Sequence, residues 1–186
     1  MTKTVLYIAC SLDGKIARSN DSLDWLFAVE GDGDNGYAAF MEDVDAVIMG
    51  RKTFDEVLVL SEDYPYSGLE NYVLTRQNDQ QSEYATYTNE PLDVLIDRIS
   101  PTINGKIWLV GGGELIQEAL RLQLIDQLEL AIAPVVLGSG IPLFPEGTLE
   151  TRFRLTSCCP SGQFIMATYD VLKGRSTQIK NTFETL

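Results

Sequence analysis

Apolar positions fall along this chain in two textures. Val5–Cys10, Ala46–Met49, Asn71–Thr75 and Ile107–Val110 are short apolar runs, suited to strands covered on both faces. Elsewhere the spacing relaxes to a helical period. Tyr37–Val44 puts Phe40, Met41 and Val44 on one face, and Arg51–Leu60, Leu92–Ile99 and Glu114–Leu122 are further helices. Pro91 reads as the first residue of the Leu92–Ile99 helix, and Pro101 stops it. Glu83–Thr88 is a weaker strand and Gln127–Val136 a longer one. Gly138-Ser139-Gly140 turns the chain, and Ile141–Phe144 continues the edge. Arg152–Cys159 and Phe164–Leu172, separated by Pro160-Ser161-Gly162, form a closing antiparallel hairpin.

Strands alternating with helices over the first two-thirds predict an α/β fold, with a mostly parallel central sheet and helices on both faces. In such sheets ligands sit beyond the carboxyl ends of the strands. Ser19 to Asp34 is polar and rich in Gly and Asp, interrupted by Trp25-Leu26-Phe27. It reads as an irregular loop with a short helical turn, able to cover a site. Residues 1–173 make one domain, and 174–186 a polar C-terminal tail.

Composition narrows the chemistry. The 14 basic and 27 acidic residues leave a net charge of −13, too little cation for the basic face of a general nucleic-acid binder. Any phosphate must be held by a few local cations and backbone N–H groups. The absence of histidine excludes Ser-His-Asp and Cys-His catalysis and removes the commonest zinc ligand, so no metal is expected. Cys10, Cys158 and Cys159 lack C-x-x-C spacing and read as reduced thiols. With no apolar stretch long enough to span a bilayer and no leader pattern, a cytoplasmic chain without a membrane partner is expected.

Two strand–glycine–helix junctions carry the candidate site. Ala46–Met49 leads through Gly50-Arg51-Lys52-Thr53 into a helix, and Ile107–Val110 leads through Gly111-Gly112-Gly113 into another. Glycine permits close backbone approach, and a helix N-terminus favours negative charge. Each feature also has a plainer reading: tight helix–strand packing for the triplet, solvated surface cations for Arg51 and Lys52, a simple cap for Thr53. Cations at a helix N-terminus nevertheless oppose the macrodipole unless an anion is present. Together the junctions predict a long anionic ligand held at two points. Thr75-Arg76-Gln77, after another strand, suits a phosphomonoester on an adenosine ribose or is a polar turn. Trp25 is a site residue or a satellite core anchor. Asp34, ahead of the Tyr37 helix, is a cap or, with its pKa raised by burial, a proton donor.

Val47–Phe54, Asn71–Gln77, Gly111–Gly113 and Leu143-Phe144-Pro145 resemble, in order and spacing, the dihydrofolate reductase superfamily. Ser11–Ala17 and Ala131–Gly140 resemble its riboflavin-biosynthesis branch, the RibD C-terminal reductase domain. The resemblance runs from Val5 to about Leu172 and implies a dihydrofolate reductase-like three-layer α/β/α fold with NADPH as cofactor. It places Gly50, Arg51, Lys52 and Thr53 on one side of the pyrophosphate, and Val110, Gly111, Gly112, Gly113, Glu114 and Leu115 on the other. Leu74, Thr75 and Arg76 then take the adenosine and its 2′-phosphate, while Ala9, Ile16 and Ala17 border the nicotinamide. Asp34 matches the superfamily's proton-donating carboxylate. Trp25, Lys15 and Tyr37 are the candidate substrate contacts, Lys15 for a substrate phosphate.

Departures from the pattern sharpen the expectation. Ala131 stands where the folate enzymes have a hydroxyl, and Ile116 where they have a tyrosine. The motifs of the riboflavin enzyme's zinc deaminase half are absent. A stand-alone reductase acting on a pyrimidine- or pterin-like small molecule is implied, with a folate reductase or a non-catalytic nucleotide-binding protein as alternatives. The family also implies a homodimer, for which Leu128–Val136 offers a surface.

Overall fold

The computed structural model describes residues 2–77 and 81–173, so the expected tail at 174–186 lies outside the described residues. The elements run β1 (Lys3–Ser11), β2 (Lys15–Ala17), α1 (Asp24–Phe27), α2 (Tyr37–Met41), β3 (Val44–Gly50), α3 (Arg51–Leu60), β4 (Glu70–Leu74) and β5 (Thr86–Thr88). Then follow α4 (Leu92–Ile99), β6 (Lys106–Gly111), α5 (Gly113–Arg121), β7 (Gln127–Ala133), β8 (Ile141–Pro142), β9 (Phe153–Ser161) and β10 (Phe164–Val171).

One sheet has the order β5-β4-β3-β6-β1-β7-β10-β9. Strands β5 to β7 in that order are parallel, and β10 and β9 add antiparallel strands at one edge. The continuous apolar runs are explained by burial from both sides. Leu6, Ala46, Ile48, Ile107 and Leu109 pack on one face against Leu95, Ile99, Ile116 and Ala119 of α4 and α5. Val5, Val47, Met49 and Trp108 pack on the other against Phe40 of α2 and Phe54 of α3. Each fully buried aliphatic side chain of this kind contributes about 1.5–3 kcal/mol. The three-layer α/β/α expectation is met.

Several boundaries move, each for a local reason. The Tyr37 helix stops at Met41 because Val44 already pairs with Lys106, and Lys106 N donates to Asp43 O at 2.6 Å. Pro91 is the cap of α4 rather than its first residue, its carbonyl accepting Leu95 N at 3.0 Å. Strand β7 ends at Ala133, not Val136: Pro134 has no N–H for the ladder, and Val135 N folds back onto Ala133 O at 2.8 Å. Ile141-Pro142 pairs with β2 in a separate two-stranded ladder rather than extending the main edge. Pro160 lies within edge strand β9, where a missing donor is tolerated, and the turn shifts to Gly162-Gln163.

The shifted turn also reaches the candidate site. Gly162 has φ of +56°, and a Cβ there would lie 2.6 Å from Glu30 O. Gln163 N donates to Glu30 O at 2.9 Å and Ser161 Oγ bonds Asn35 Oδ1 at 2.8 Å. The hairpin tip thereby holds the loop over residues 20–36 against the body of the protein.

Candidate active site

The carboxyl ends of β1, β3, β4 and β6 open into one cleft of about 1820 Å³. Every residue expected to touch a dinucleotide lines it: Ala9, Ile16, Ala17, Gly50–Thr53, Leu74–Arg76 and Val110–Leu115.

The two glycine junctions form its jaws. Gly50 caps α3 in extended conformation, with φ of −75°, and no acidic side chain occupies the first turn. Gly111 and Gly112 have φ of +149° and +101°, backbone that L side chains rarely adopt, and Gly112 caps α5. A Cβ on Gly112 would sit 3.5 Å from Thr53 Oγ1, so the jaws approach to contact distance.

The cations differ in availability. Arg51 Nε lies 2.7 and 2.9 Å from the two carboxylate oxygens of Asp55, and its guanidinium lies over the Tyr87 ring at 5.6 Å. Its Nη1 is buried without a hydrogen-bond partner. Lys52 pairs with Asp21 of the covering loop at 2.7 Å. Arg76 is exposed, and no ion pair to it occurs among the described residues.

The remaining expected site residues fare differently. Tyr37 lines the cleft. Asp34 does too, but its chemistry is the reverse of that expected. It is exposed, accepts Ala38 N at 2.7 Å and Gly36 N at 3.0 Å, and these bonds hold its carboxyl below the usual range. It is a capping carboxylate, and its two backbone hydrogen bonds outweigh the small opposing effect of desolvation. Trp25 lies beneath the cleft, 3% exposed and packed with Ala131, Ala133 and Phe164, with Nε1 unpartnered. Lys15 is on β2 and does not line the cleft.

Sequence reasoning missed Tyr7, Tyr66, Trp108, Thr88, Asn89 and Glu90, which also line it. Tyr7 alternates with buried Leu6 on β1, a signal that it faces the second side of the sheet. Nothing in the local sequence marks Tyr66.

The chain matches the RibD C-terminal domain model over residues 2–167. It is 45% identical to the Bacillus subtilis protein YwjB over 168 residues, 90% of this chain and 97% of that protein. A crystal structure of a putative riboflavin biosynthesis protein from Shewanella sp. PV-4 superposes with a TM-score of 0.84 at 30% identity, covering 92% of this chain and all of that one. The Thermotoga maritima deaminase/reductase shares the fold at 13% identity (TM-score 0.69), covering 92% of this chain and 57% of that one. The fold, the two glycine jaws and these likenesses together make the chain a member of the RibD C-terminal domain family, a family of reductase domains.

Proposed function

We propose that the protein is an NADPH-dependent reductase of the riboflavin-branch type, reducing a C=N or carbonyl-like centre in a pyrimidine- or pterin-like compound. The observation that carries this reading is the pair of glycine jaws meeting across one cleft beside a buried guanidinium nitrogen with no partner. Leaving such a donor unpaired costs about 1–3 kcal/mol or more, and an anionic oxygen relieves it. The residues therefore fit the cofactor.

NADPH, when bound, supplies the hydride. The chain's own part is to bind, orient and exclude water. Backbone N–H groups at the starts of α3 and α5 hold the pyrophosphate, aided by Arg51 Nη1. Arg76 takes the 2′-phosphate, and Thr75 and Leu74 border the adenosine. Ala9, Ile16 and Ala17 present small or apolar surface to the nicotinamide. Ala131 and Phe164 close the floor without polar groups.

A folate reductase would need a protonated carboxyl at the reacting end, and Asp34 is held as a carboxylate by two backbone donors. The riboflavin-branch reading is favoured on that ground. Tight NADPH binding by fluorescence titration, with oxidation of NADPH by pyrimidine acceptors but not by dihydrofolate, is the expected result. Failure to bind NADPH overturns it, while binding without oxidation across such acceptors supports a non-catalytic nucleotide binder.

Self-association as a homodimer is part of the same proposal. In register, Ile132 lies beside Ile165, Leu128 beside Tyr169 and Tyr169 beside Leu155, on the α5 side of the sheet. Ile165 and Leu155 remain 46% and 53% exposed there. A two-fold axis lets one such face cover its copy, and a monomeric mass by light scattering sinks this part alone.

A further inference from the structure

Tyr7, Tyr37 and Tyr66 reach one wall of the cleft from β1, α2 and the segment before β4, and Trp108 of β6 stands at their centre. The indole meets Tyr7 and Tyr37 edge-on with ring centroids 6.1 Å apart, and Tyr66 at 5.4 Å. Trp108 is itself fixed, its Nε1 donating to Tyr7 O at 3.1 Å. The rings are thus locked by mutual packing.

Their hydroxyls are another matter. Buried tyrosines usually find a partner for the O–H, as Tyr64 does on Asn71 Oδ1 at 2.7 Å. Among the described residues no hydrogen bond reaches the hydroxyl of Tyr7, Tyr37 or Tyr66, and none of the three is sealed from the cleft as Trp25 Nε1 and Arg51 Nη1 are from solvent. Three cleft-lining residues thus carry phenol donors that are neither fully buried nor bonded within the described residues. Asp34, the one carboxylate with a field on Tyr7 that also lines the cleft, is already engaged by Gly36 and Ala38. Glu129 acts on Tyr7 from outside the cleft lining. Burial pushes all three phenols up, Tyr66 furthest, so they stay protonated.

We propose that Tyr7, Tyr37 and Tyr66 are the substrate-binding donors of this cleft, bonding ring carbonyl or imine acceptors of a planar heterocycle in place of the expected carboxylate. Resting on the reductase reading above, the proposal gives the polarising role at the reacting C=N or C=O to neutral phenols. It also sets a preference. Phenol donors match carbonyl oxygens, whereas an amidine-bearing ring needs an ionised carboxylate as acceptor.

The test uses the full chain, saturated with NADPH, and two probes: 5,6-diaminouracil, rich in carbonyls, and 2,4-diaminopyrimidine, which has none. Calorimetric titration and the tyrosine ultraviolet difference spectrum are read for wild type, Y7F, Y37F and Y66F. The dione is expected to bind wild type more tightly than the diamine. Each variant loses about tenfold in dione affinity, with its share of the difference spectrum, while NADPH affinity and melting temperature hold. Tyr64→Phe, whose hydroxyl serves Asn71, lowers the melting temperature without changing dione affinity. Wild-type dione affinity retained in the three variants, or no dione binding to the NADPH-loaded protein, overturns the proposal. Absence of NADPH binding to wild type instead overturns the reductase reading.

Discussion

The two glycine junctions look alike in sequence and differ in what they require of glycine. At Gly112 the φ of +101° is backbone that favours glycine, while a Cβ would stand in ordinary contact with Thr53, so the requirement for glycine comes from the main chain alone. At Gly50 the backbone is ordinary extended chain and a Cβ would enter open space. The first junction is a shaped backbone cradle. The second works through its neighbours, the Arg51 and Lys52 side chains. On the proposed reading both helix starts offer backbone N–H groups, and the second jaw adds charge.

Substitutions that add bulk or remove charge separate the two modes. Gly112→Val should have the largest effect, because positive-φ backbone at a β-branched residue costs about 1–3 kcal/mol. Loss of NADPH affinity of about 100-fold or more is expected by fluorescence titration; retention within threefold would show that the triplet serves packing alone. Arg51→Met should follow, with a loss of about 30-fold, since it removes a cation and its buried, unpartnered Nη1 donor. Arg76→Ala should weaken NADPH about tenfold and leave NADH unchanged, a selectivity that Arg51→Met should not share. Gly50→Ala should do least, within about threefold, at a capping cost of about 0.5–1 kcal/mol in urea melts. Equal effects at Gly50 and Gly112 would erase the distinction.

Asp34→Asn probes the opposite wall. The folded-state pKa of Asp34 is depressed. Its capping contribution is therefore complete above the unfolded carboxylate pKa of about 3.9 and lost as pH falls through the lower folded value. The variant should be less stable at neutral pH, with that difference vanishing in strong acid. The neutral-to-alkaline activity profile should keep its shape; loss of an alkaline limb would restore Asp34 as the proton donor.

The two glycine junctions on the cleft were legible because each is contiguous. Strand, glycine and helix start lie within a few residues at each junction, so local sequence fixes their arrangement. The substrate wall is tertiary. Tyr7, Tyr37, Tyr66 and Trp108 come from four separate segments, and only the fold brings their rings together. Asp34 shows a subtler limit. Its place on the cleft was readable, and so was its position ahead of a helix, but the choice between cap and acid turned on two backbone N–H groups. Trp25 was likewise visible as an anchor, and burial beneath Ala131 decided between its readings. The ends of the second helix and of β7 were set by Lys106 pairing and by Pro134, partners that periodicity alone does not weigh.

Each cation of the charged jaw already has a carboxylate: Asp55 for Arg51, Asp21 for Lys52. That jaw is in effect a small ion exchanger. On the proposed reading an arriving phosphate exchanges with these protein carboxylates, so NADPH affinity should fall less with added salt than three unpaired cations would make it fall, as titrations at several ionic strengths would read. Asp21 belongs to the covering loop, so on that reading the Lys52 pair ties the loop to the charged jaw, and a phosphate taken by Lys52 competes for that tie.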